Sequence, residues 1–411
     1  MSIKIRLTIM NFLQFFIWGA WLTSLGVYLG NSLEFTGSQI ASVFATMGIA
    51  AVIMPTVIGI IADKWINAER LLCILHIGGG LILFLLSETI VFEQFFWLML
   101  LYNCMYMSTL GLSNSLAYNT LKSNGLDVIK SFPPIRVWGT VGFIGAMWLV
   151  DICQWTTSNY QIYLASAASL LYGIYALTLP KYIREPSLEN TSIRSILGLD
   201  ALYLFKKRQM AVFFIFSMLI GSALQITNTF GQPFLTDFSL VDIYSDSFTV
   251  RHPGILTSIS QISEALFILA IPFFLRKYGI KTVMLMSIGG WVLRFGLFGI
   301  GDPGSGFVFL LLSMVVYGLA FDFFQISGSL FIEQQVKPSI RVSAQGIFIF
   351  MTNGVGTIIG TKLSGWVVDH FTNADGYRNW ESIWFVFSGY ALVLGILFLV
   401  LFNPKKSSIA S

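Results

Sequence analysis

The sequence predicts an all-α membrane protein of twelve transmembrane helices in two six-helix bundles, and three observations predict it. The chain is 55% hydrophobic and only 11% charged over 411 residues, with a mean hydropathy of +0.76, far too apolar for a soluble globular domain. Twelve apolar runs reach roughly the 17 to 25 residues that a bilayer requires. The longest polar stretch falls between the sixth and seventh runs and carries Lys181, Arg184, Arg194, Lys206, Lys207 and Arg208. It predicts an N-terminal bundle over 1–179, a cytoplasmic central loop over 180–209 and a C-terminal bundle over 210–411.

In order, the runs are 7–29, 40–61, 71–86, 95–116, 135–152, 161–179, 210–231, 255–275, 282–300, 307–331, 344–368 and 383–402. Met1 to Arg6 looks like the charged start of a signal peptide. The run after it is about span length and lacks a good cleavage site, so it reads as a retained first helix. With both termini cytoplasmic, nineteen of the 24 Lys and Arg lie in cytoplasmic segments and only Arg251 and Arg378 on the opposite side; this asymmetry sets the orientation. A net charge of +4, distributed in this way, implies no nucleic-acid partner. Cys73, Cys104 and Cys153 sit in apolar segments at unrelated spacings, so neither a disulfide framework nor a metal site is expected.

The halves echo one another. Ile135-Arg136-Val137 at the start of run five matches Ile340-Arg341-Val342 before run eleven, and Ala62-Asp63-Lys64-Trp65 after run two matches Leu275-Arg276-Lys277-Tyr278 after run eight. Both offsets are those of a half-chain repeat, the mark of an internally duplicated transporter.

The chemistry is carried by polar side chains in the middle of apolar runs. Pro133 and Pro134 are expected to open a helix, with Arg136 just inside it and Thr140 and Phe143 following at spacings of four and seven, on one face. An arginine there should face a protein interior or a watery cavity, since hydrocarbon would cost on the order of 3 kcal/mol or more. Glu264 and Asp322 are the carboxylates near mid-span, where an acid is either a proton-handling or ligand group or a structural interhelical bond. Gln261 shares the face of Glu264, and run seven repeats the pattern with Gln225 and Asn228. Such a set can bind a neutral polyhydroxylated ligand or act as polar glue between helices. Tyr317 and Phe321 share a face of run ten, and Asp322 points roughly 100° from Phe321, toward another helix or the ligand. Asp63, with Lys64 and Arg70, lies where charges bridge helix ends and bias a conformational equilibrium. His76 has no partner recognisable in the sequence and reads as a packed neutral histidine; Arg294 and Lys362 either snorkel or pair internally.

Twelve spans, a basic central loop and Gly59-Ile60-Ile61-Ala62-Asp63-Lys64 resemble the major facilitator superfamily. Over essentially its whole length the chain resembles the bacterial nucleoside:proton symporters within it. The stretches that carry this are Phe132-Pro133-Pro134-Ile135-Arg136, Leu197-Gly198-Leu199-Asp200-Ala201, Leu224-Gln225-Ile226-Thr227-Asn228, Gln261-Ile262-Ser263-Glu264 and Tyr317-Gly318-Leu319-Ala320-Phe321-Asp322-Phe323-Phe324. The resemblance implies a nucleoside site at Arg136, Thr140, Phe143, Gln225, Asn228, Gln261, Glu264, Tyr317 and Phe321, with Asp322 in proton coupling and conformational change. The facilitator loop normally continues with a Gly-Arg pair where this chain has Ile66-Asn67-Ala68-Glu69-Arg70, so only Asp63 inherits a gating role. The expected activity is import of purine and pyrimidine nucleosides with protons across a bacterial inner membrane, by a monomer without cofactor, metal or covalent chemistry. A sister transporter for oligosaccharides or another polyol would use the same fold. A membrane enzyme would need a nucleophile or metal cluster that the sequence does not display.

Overall fold

The computed structural model describes residues 2–181, 199–337 and 340–403. Among them run twelve long helices: α1 Ile3–Gly19, α2 Gly37–Lys64, α3 Ala68–Ser87, α4 Phe92–Ser123, α5 Val128–Ile152, α6 Tyr160–Ala176 and α7 Arg208–Asp237. Pro253–Ile300 follows, broken at Gly279 (φ 75°) into α8 and α9. Then come α10 Phe307–Gln335, α11 and α12 Trp380–Leu401, α11 being Arg341–Ile349, the π-helical Phe350–Val355 and Gly356–His370 in succession. Nine continuous helices among the described residues are long and apolar enough to cross a membrane. Pro253–Ile300, at 48 residues, is long enough to cross twice, and α1 and α6 have 17 residues each. The chain divides into two compact units, Met1–Asn190 and Thr191–Ser411. Residues 182–198 of the basic stretch lie outside the described residues, with the Leu197-Gly198 part of its motif.

Local chemistry sets the helix ends. Thr36 and Gln39 close a capping box on α2: the Gln39 N–H donates to Thr36 Oγ1 at 3.3 Å and the Thr36 N–H to Gln39 Oε1 at 2.9 Å. One expectation fails here. Pro133 and Pro134 do not open α5 but lie inside it, because the helix already begins at Val128. The Asp127 carbonyl accepts from the Ser131 N–H at 2.9 Å and starts the first turn. Both prolines lie beyond the four N-terminal N–H groups that have no intrahelical acceptor, so each removes one bond of the second turn.

Each unit has a close helix crossing made possible by glycine. In the first, a Cβ on Gly142 of α5 would lie 2.3 Å from the Phe12 carbonyl oxygen of α1, and one on Gly19 would lie 2.3 Å from that of Phe143. In the second, a Cβ on Gly221 of α7 would lie 2.3 Å from the Thr352 carbonyl oxygen of α11, and one on Gly360 would lie 2.4 Å from that of Ser222. Small residues replace the hydrophobic driving force that lipid cannot supply. The outward faces are apolar instead: on α8, Ile262, Leu266, Leu269 and Phe273 form one exposed stripe at spacings of four, three and four, which suits a helix bathed in acyl chains.

Candidate functional site

In the N-terminal unit, Arg136 and Thr140 are half-buried on α5 and Phe143 is buried. The α1–α5 crossing decides what they meet. The Arg136 guanidinium lies 3.9 Å over the Phe15 ring, a cation–π contact that lets a cation rest against an apolar helix. Gly139 leaves the room, for a Cβ there would lie 2.7 Å from both Arg136 Nη1 and the Phe15 ring. Phe143 meets Trp18 edge-on, with centroids 6.4 Å apart at 86°. Phe15 and Trp18 were not singled out in the sequence, although they are three apart on one face of α1 and opposite an obvious arginine.

Behind this face is a polar network. Gln14 Nε2 donates to Thr109 Oγ1 at 2.8 Å, and its Oε1 accepts from Ser113 Oγ at 2.9 Å and lies 3.3 Å from His76 Nε2. His76 Nδ1 is 3.3 Å from Ser169 Oγ, and its ring packs 4.1 Å from that of Tyr172. The histidine is thus packed as expected, with partners on α1 and α6.

In the C-terminal unit, α8 and α10 meet where Gly318 leaves no side chain: a Cβ there would lie 2.6 Å from the Ser263 carbonyl oxygen and 2.8 Å from Glu264 N. That approach gathers Gln261, Glu264, Tyr317, Phe321 and Asp322. Gln261, Glu264 and Asp322 all lie within electrostatic reach of the Tyr317 hydroxyl. The two acids also act on each other. Tyr317 is buried and stacks on Phe321, with centroids 6.0 Å apart and 16° between planes, while Trp291 of α9 meets it at 90°. Asp322 is 5% exposed and its Oδ2 has no hydrogen-bond partner among the described residues.

Gln225 and Asn228 stand three apart on α7, and buried Gln225 Oε1 is likewise without a partner. The structure shows no bond from either amide to the α8–α10 cluster. It does bring α7 beside Phe321, since Gly221, Leu224, Trp291, Phe321, Gln325 and Asn353 line a cavity of about 10 Å³. That is room for about one water and not for a solute. Gln325 and Asn353 were not anticipated. A larger cavity of about 510 Å³ lies elsewhere in this unit, around Asp302, Arg378 and Trp380. There Asp237 accepts from Arg378 at 3.0 Å and from Trp380 Nε1 at 2.8 Å.

Of the two cations left open by the sequence, Arg294 is buried and internally bonded and Lys362 is exposed. The side chain of Asp63, at the end of α2, lies outside the described residues.

The arrangement offers amide, carboxyl and phenol groups beside stacked rings, within apolar helices and with unpartnered buried oxygens. It can bind an uncharged hydroxylated solute and hold a proton. A family model described as nucleoside H+ symporter matches residues 1–407. The xanthosine permease of Escherichia coli (strain K12) is 53% identical over 99% of this chain and 98% of that protein. The nucleoside permease NupG of the same organism is 49% identical over 98% of this chain and 97% of that one. The crystal structure of nucleoside transporter NupG superposes with a TM-score of 0.93 at 48% identity, covering 98% of this chain and 100% of that one. A peptide transporter of the POT family, PepTSo, at 13% identity and a TM-score of 0.71, shares the fold alone. The chain belongs to the nucleoside H+ symporter family and is a multi-pass membrane transporter, not an enzyme.

Proposed function

We propose that this symporter imports purine and pyrimidine nucleosides with protons by alternating access, as a monomer in a bacterial inner membrane with both termini cytoplasmic. The observation that carries the reading is the α8–α10 cluster, where Gln261, Tyr317 and two mutually interacting acids come together inside apolar helices. Gln225, Asn228, Gln261 and Glu264 take the ribose, because amides and a carboxylate bond hydroxyls in fixed directions. Tyr317 and Phe321 pack against the sugar or the base edge. Phe143, Arg136 and Thr140 take the base, whose π face tolerates exchange of one ring for another. Asp322, with Glu264, carries the proton: its unpartnered Oδ2 can receive one, and neutralising it removes a charge that apolar surroundings oppose. Asp63 gates at the end of α2, in keeping with the facilitator loop that its sequence resembles. Inward proton movement then drives accumulation, the membrane potential adding about 2.3 kcal/mol per charge per 100 mV.

Uptake of labelled uridine, adenosine and xanthosine into proteoliposomes under an imposed inward proton gradient tests this. Accumulation that collapses with a protonophore and needs no sodium is the expected result. Sodium-dependent uptake at a constant pH gradient, or better counterflow with oligosaccharides than with nucleosides, would overturn it.

A further inference from the structure

Arg294 of α9 is a buried cation to which the transport cycle above gives no task. It is 4% exposed. Its Nη1 donates to the Ser313 carbonyl at 2.8 Å and to Ser260 Oγ at 3.3 Å, and its Nε is buried without a hydrogen-bond partner. The ion pairs found among the described residues do not include it. A guanidinium at that depth is costly and marks function more often than packing.

Its surroundings say which function. The guanidinium carbon lies 4.6 Å from the Tyr317 ring centroid and 5.1 Å from that of Phe298. Tyr317 is the residue that Phe321 stacks on and that lies within electrostatic reach of Gln261 and both acids. Trp291, one turn before Arg294, meets the same ring at 90°.

We propose that Arg294 is a positioning residue of the nucleoside site, clamping the Tyr317 ring. The inference rests on the reading of Gln261, Glu264 and Tyr317 as ligand groups.

The test is uridine binding to the purified protein. Arg294→Gln should bind uridine about tenfold more weakly, the equivalent of a lost desolvated cation–π contact, at an unchanged melting temperature. Arg294→Lys keeps a cation beside the ring but loses the planar stack, so it should recover part of that affinity and stay weaker than the wild type. A purely structural arginine would lower yield or melting temperature and leave the affinity of the folded protein at the wild-type value. Folded Arg294→Gln with wild-type affinity overturns the proposal. Should that variant not fold, Arg294→Lys decides alone: weaker binding supports the proposal, and wild-type affinity overturns it. Tyr317→Phe and Gln261→Ala separate the two layers. Wild-type binding in both would mean that the underlying site reading has failed, whereas weakening in both beside unaffected Arg294 variants would sink only the role of Arg294.

Discussion

In the N-terminal unit the polar side chains around His76 are amides, hydroxyls and one imidazole bonded to one another, Gln14 reaching Thr109, Ser113 and His76, and His76 reaching Ser169, while the buried acids Glu69 and Asp151 lie at helix ends. In the C-terminal unit Arg294 and Asp322 are buried in mid-helix with half-buried Glu264 beside Asp322, and among the described residues Gln225 Oε1, Asp322 Oδ2 and Arg294 Nε have no hydrogen-bond partner. The first unit also leaves Trp18 Nε1, Asn103 Oδ1 and Thr120 Oγ1 unpartnered, but none carries charge. Both units cross helices on glycine, at Gly142 in α5 and Gly221 in α7. The duplicated scaffold is thus the same and its filling differs. A satisfied network holds a shape, whereas a charged one with open acceptors can exchange a proton and a ligand. The proposed division follows from this: the first unit presents a stacking surface and the second handles hydroxyls and protons.

The scaffold can be broken first. Gly142→Leu and Gly221→Leu should each abolish a monodisperse folded product, because the new side chain meets backbone at 2.3 Å and cannot be relieved by a rotamer change. Size-exclusion profiles check this, and tolerance of one but not the other would show the crossings to be unlike. Glu264→Gln should next weaken uridine binding by about 1.5 to 3 kcal/mol, the scale of a hydrogen bond to a charged group. Titration calorimetry measures it, and an equal loss in Asp322→Asn would remove the division between ligand acid and proton acid. Each ribose hydroxyl deleted from the ligand should cost about 1 to 3 kcal/mol, the cost of leaving a buried polar group unpaired. Exchanging uracil for adenine should cost less. Free uracil competing as well as uridine would reverse the assignment of sugar and base. Phe143→Leu should have the smallest effect, on the order of 0.5 to 1.5 kcal/mol of lost stacking, seen as a similar fall in affinity for every nucleoside.

Much of this was legible in the sequence because a bilayer imposes a length and a polarity on each element. Runs near twenty apolar residues announce spans whatever packs on them, and Glu264 and Asp322 stood out against an apolar background. Glycine at position 318 was visible, but not that it seats α10 on the backbone of Glu264. The start of α5 was misplaced because Pro133 and Pro134 are ordinary helix openers, and the turn held by the Asp127 carbonyl ahead of them has no comparable signal. The π segment Phe350–Val355 left no trace in the hydrophobic pattern. The partners of His76 and Arg294 come from helices distant in the chain, and periodicity within one helix says nothing of them.

The claim that proton coupling belongs to the C-terminal unit is tested most directly by reconstituting Asp322→Asn and His76→Gln side by side, and measuring uridine counterflow and proton-driven accumulation in each. Asp322→Asn should keep counterflow and lose accumulation, and His76→Gln, if folded, should keep both. Accumulation that survives in Asp322→Asn and disappears in His76→Gln with counterflow intact would contradict the account.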